Sequence, residues 1–180
     1  MSGSGGAVAK RLRWYWQMEA ANIVLLPALA GGVVWQSGGA ATAAFLLAAA
    51  ACSWLLLIGA LYWRALLRRM EGAAAVFDYW LPRLAAVEGI SAASVLAAAI
   101  IFALELAAAR GEWSASLIAA AALTTLAALE YVNYYRIQLQ HFDNVADFKR
   151  LIAGRGFRRA HMARDIAAWR ASSRRKHRAE

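Results

Sequence analysis

Residues 42–63 contain no charged side chain, and neither do residues 113–129. A helix crossing the hydrocarbon core of a bilayer needs about 20 such residues. Within that core every backbone amide must find its partner inside the protein, so unbroken apolar runs of this length are read as helices. Two further apolar stretches, residues 17–35 and 84–109, carry Glu19 in the first and Glu88 and Glu105 in the second. The expected fold is therefore all-α: an integral-membrane four-helix bundle with spans near residues 17–35, 42–63, 84–109 and 113–135. Composition agrees, since 62% hydrophobic residues exceed the roughly 45–50% usual in soluble domains.

The charges set an orientation. The chain carries a formal charge of +9, but its Lys and Arg residues lie outside the apolar runs. They cluster at Lys10, Arg11 and Arg13, at Arg64, Arg68 and Arg69, and beyond Arg136. The two remaining connections hold only Arg110. The positive-inside rule places both termini in the cytoplasm and makes nucleic-acid binding the weaker account of the charge. Aromatic residues follow the same division. Trp14, Tyr15, Trp16, Tyr62, Trp63, Tyr79, Trp80, Tyr131, Tyr134 and Tyr135 fall at one interface, and Trp35 and Trp113 at the other. Abundant alanine, and arginine far in excess of lysine, point to a GC-rich bacterial genome, so the expected location is a bacterial inner membrane. The first span resembles a signal peptide in part, but Glu19 and Asn22 interrupt its apolar core, so retention is expected.

Three segments follow. Residues 1–13 read as a disordered basic N-terminus, 14–135 as the membrane domain and 136–180 as a helical basic cytoplasmic tail. No Gly or Pro interrupts the chain between the fourth span and Gly154. That predicts a fourth helix extended into the cytoplasm, about 40 residues or 60 Å in all. Phe142, Val145, Phe148 and Ile152 lie at amphipathic spacing along it. After Gly154, Phe157, Met162, Ile166 and Trp169 recur among basic residues that include Arg158 and Arg159. This is the pattern of an amphipathic helix for a membrane surface or a partner's groove. In the third span Gly89, Ala93 and Ala97 form a small-residue stripe that permits close helix approach.

Polar residues at membrane depth are the candidate site. Glu19 with Asn22, Glu88 with Ser91, and Glu130 with Asn133 are each three residues apart, so each pair shares a helix face. All three acids fall within the cytoplasmic half, level with Arg64. Charged groups there normally face one another or water. They predict either a polar pocket for a proton, cation or amine or an anchor for a headgroup, or a structural cluster in which Glu130 pairs with Arg136 or Arg64. Glu105 is expected to pair with Arg110. His141 with Asp143 or Asp147 offers a relay or metal site, against the plainer reading of a solvated helix face. Four short spans with a glutamate in the first resemble the small multidrug resistance transporters, which implies a carboxylate site for a cation. The basic tail has no counterpart in that family, and Glu19 sits nearer the interface.

Catalysis is disfavoured. Cys52 is the only cysteine, so disulfide or zinc-thiolate chemistry has no partner. Glycine-rich phosphate loops, serine elbows and His-rich boxes do not occur. No metal or cofactor is expected. The leading expectation is an interaction or accessory subunit presenting its basic tail to anionic lipid or a protein partner, with homo-oligomerisation open. A small transporter or ion-binding protein using Glu19, Glu88 and Glu130 is the alternative, and a lipid-modifying enzyme the second.

Overall fold

The computed structural model describes residues 3–139 and 158–179. They form six helices: α1 (Gly3–Gln36), α2 (Ala43–Met70), α3 (Ala74–Ala86), α4 (Glu88–Ala108), α5 (Ala115–Tyr135) and α6 (His161–Ala179). Four of these, α1, α2, α4 and α5, are long and apolar enough to cross a membrane.

The bundle is built around α2, which packs against α1, α3, α4 and α5. Its sequence explains that position. Ala44, Ala48, Ala51, Cys52, Leu55 and Ile58 are all essentially inaccessible, and small residues such as these alanines let neighbouring helices approach closely. In contrast, α4 buries only Ser91 and Ala98. Its Gly89, Ala93 and Ala97 stripe is exposed, so it makes no interhelical seam among the described residues.

At the end holding Arg110, the turns are closed by side-chain caps. Thr42 accepts from the Phe45 amide at 3.3 Å and Ser114 from the Leu117 amide at 3.2 Å, satisfying amides that helix N-termini leave open. Glu105 does not pair with Arg110. Its carboxylate accepts from the Ala44 amide at 2.9 Å, drawn by the partial positive charge of the α2 N-terminus.

The opposite end departs from expectation in four places. The basic N-terminus is helical from Gly3, because Leu12 is buried and Arg13 pairs with Glu71 at 3.2 Å. The stretch before the third span is a separate helix, α3, whose Phe77, Leu81, Leu84 and Ala85 face the core. The chain breaks at Val87, and the long apolar helix begins at Glu88, where an acid suits the helix dipole.

The fourth span does not continue as one long helix. It stops at Tyr135, and Arg136 leaves helical geometry with φ −125° and ψ −82°. Tertiary bonds replace the helical ones. The Gln138 amide donates to the Arg158 carbonyl at 2.8 Å, and the Ala160 amide to the Arg136 carbonyl at 3.1 Å. The intervening Phe142, Val145, Phe148 and Ile152, with His141, Asp143, Asp147 and Phe157, lie outside the described residues.

The tail is the fourth departure. Met162 and Ile166 are not offered to lipid or a groove; they are 1% and 3% exposed against the bundle, with Trp169 packed beside them. An amphipathic helix buries its apolar face wherever that face finds a complementary surface, and here its own core supplies one. Tyr62 donates to Asp165 at 2.7 Å and fixes α6 to α2.

Candidate functional site: a buried carboxylate pair

Glu19 from α1 and Glu130 from α5 meet at one side chain, Tyr134. Glu130 and Tyr134 are four residues apart and share a helix face. The Tyr134 hydroxyl donates to Glu19 at 2.6 Å. Glu130 stands one helical turn before Tyr134, close enough to Glu19 for their charges to interact. Glu19 is 8% exposed and Tyr134 1%. One oxygen of Glu130, Oε2, is buried without a hydrogen-bond partner among the described residues.

The position of Tyr134 depends on Gly59 of α2. A Cβ added to Gly59 would fall on the tyrosine hydroxyl and the ring carbon that bears it. Only glycine lets the phenol pass the α2 backbone this closely. Two turns back on the same helix, Cys52 lies fully buried within electrostatic range of both acids. On the side facing α6, Tyr134 borders a small, partly open void of about 10 Å³ lined also by Tyr62, Trp63, Asn133, Gln138, His161 and Met162, which is the space of a single water.

The remaining expected residues are placed elsewhere. Glu88 stays at the surface of α4, bound by Arg136 at 2.6 Å and Arg170 at 3.3 Å. The Glu88 hydrogen bond holds the Arg136 guanidinium above its already high ordinary pKa. Ser91 is fully buried, accepting from the Trp54 indole at 3.1 Å and donating to the Val87 carbonyl at 2.8 Å. Its role is to join α4 to α2. Asn133 accepts from the Leu139 amide at 2.9 Å, so it both borders the acids and closes the turn after α5. Asn22 is half-buried, and among the described residues no hydrogen bond joins it to either acid. Arg64 is exposed, with its guanidinium over Trp16 at 5.6 Å from the ring centre. It does not reach Glu130. Of the three acids grouped by depth, two converge and the third pairs off with arginines.

Sequence reasoning missed Tyr134 and Gly59. By sequence, Tyr134 is one member of an aromatic belt. The available signal was its four-residue spacing from Glu130; nothing local marks Gly59 as its counterpart. Among the described residues, no group of three or more His, Cys, Asp or Glu is arranged to hold a metal ion. Comparisons of the chain with protein-family models, curated proteins and solved structures returned no match.

Proposed function

We propose that this chain is a multi-pass protein of a bacterial inner membrane, both termini cytoplasmic, whose Glu19–Glu130 pair binds a proton or, in its place, one small monovalent cation. The observation that carries this reading is a pair of neighbouring carboxylates, Glu19 bonded to Tyr134 and Glu130 with one oxygen buried and unpartnered, with no Lys, Arg or His joined to them among the described residues. Two bare negative charges at that depth are costly, so the pair requires a compensating positive charge. Supporting the orientation, Arg13, Arg68, Arg136 and Arg170 all gather at one end of the bundle through ion pairs with Glu71 and Glu88.

Infrared difference spectroscopy of the reconstituted protein tests this. A protonated-carboxyl band that titrates with bulk pH should appear in wild type and be lost in Glu19→Gln and in Glu130→Gln. A band that ignores pH, or persists in both variants, refutes the reading.

A second reading rests on the outer face of α6. Arg159, Arg170, Arg174 and Arg175 surround one surface groove of about 520 Å³. The tail's contact with an acidic protein partner would then use this basic face rather than Met162 and Ile166. Charge-reversal of Arg174 and Arg175 would abolish co-purification of such a partner and leave the infrared band intact.

A further inference from the structure

A groove of about 720 Å³ opens between α1, α2 and α3, away from the carboxylate pair. Its volume lies within the roughly 300–1,000 Å³ of small-molecule sites. Three guanidiniums, those of Arg13, Arg64 and Arg68, line it against the single carboxylate of Glu71. The excess positive charge is structured. Glu71 Oε1 takes one bond from Arg13 at 3.2 Å and Oε2 one from Arg68 at 3.1 Å. Each guanidinium has five N–H donors, so most remain for a second acceptor. Arg64 has no carboxylate partner among the described residues; the Trp16 ring holds it instead.

The walls identify the kind of anion. Trp16 and Trp80 stand among the lining residues, and Leu61, Leu67 and Val76 supply an apolar lining. Tryptophan marks the headgroup level of a bilayer, and Arg64 and Arg68 occupy successive turns of one α2 face at that level. Arginine forks match the paired oxygens of a phosphate. A soluble anion would use the guanidiniums and leave the apolar wall wet.

We propose that this groove binds the phosphodiester headgroup of an anionic phospholipid, with Arg13, Arg64 and Arg68 on the phosphate and Leu61, Trp16 and Trp80, which lie on the membrane side of those arginines, against the start of the acyl chains. Glu71 spaces the arginines and limits the affinity by opposing the lipid's charge.

The test uses the full chain, delipidated in a neutral detergent and titrated with phosphatidylglycerol, phosphatidylcholine or glycerol 1-phosphate under native mass spectrometry. Phosphatidylglycerol should be retained at least about tenfold more tightly than either of the others. Arg64→Gln should weaken its retention about five- to tenfold, and Glu71→Gln should strengthen it, a change of opposite sign that loss of folding cannot imitate. Arg174→Gln on α6 should have no effect. The proposal is overturned if Arg64→Gln retains the lipid like wild type, if Glu71→Gln weakens it, or if phosphatidylcholine binds equally well. Equal binding of glycerol 1-phosphate would overturn the assignment to lipid.

Discussion

Two acid-bearing settings lie at the same end of this bundle and are treated in opposite ways. Glu88 begins α4 at the surface, where Arg136 and Arg170 approach from the turn after α5 and from α6. Its charge is matched, and solvent screens what remains. Glu19 is buried and bonded to the Tyr134 hydroxyl, Glu130 one turn away is half-buried with one oxygen buried and unpartnered, and neither acid has a cationic partner among the described residues. The first setting ties three elements together at little energetic consequence. The second leaves an unbalanced charge in the interior, which a structural ion pair would not do. The difference is one of helix termination as much as residue type: Arg136 reaches Glu88 because α5 ends one residue before it.

That contrast can be broken most forcefully at the tyrosine. Tyr134→Ala removes an almost fully buried ring and the hydrogen bond to Glu19, and should cost about 3–5 kcal/mol in thermal or denaturant unfolding in detergent. Gly59→Ala should cost about 1–3 kcal/mol by overpacking against that ring, and nearly nothing when Tyr134 is already alanine. An unchanged Gly59→Ala cost in that background would separate the glycine from the site.

Glu130→Gln keeps the side-chain shape and removes one of two like charges. Its unfolding midpoint should equal or exceed that of wild type while the titrating infrared band disappears. A loss of stability comparable to Tyr134→Ala would mean that the carboxylate is structural. Arg136→Gln should have the smallest effect, about 0–1 kcal/mol, since its partner Glu88 is solvent-accessible and retains Arg170. A double-mutant cycle with Glu88→Gln measures that coupling directly. Coupling well above about 1 kcal/mol would show that the ion pair is more than a screened surface contact.

Much of the framework is legible in the amino-acid sequence. The four apolar helices follow from hydropathy, because the length and polarity of a run are properties of consecutive residues. The positions of Glu19 and Glu130 along their helices, and so their relative depth, are legible for the same reason. What depth cannot supply is azimuth. Glu88 has the same sequence signature as the other two acids, including a polar residue three positions on, yet it faces outward. Arg64 lies level with them and stacks on Trp16 instead. The tail misleads for a related reason: an amphipathic pattern specifies that a face will be covered and not by what.

The amino-acid sequence alone therefore determined that the chain is helical, where its apolar helices lie, and which end of each carries arginine and aromatic residues. These depend on local hydrophobicity and backbone satisfaction, which each segment carries within itself. Tertiary structure decided that α5 stops at Tyr135, that α6 folds back onto the bundle, and that Glu19 meets Glu130 across Tyr134. Those outcomes depend on how far neighbouring helices rotate and how closely they approach. One glycine on a different helix, Gly59, makes the approach possible.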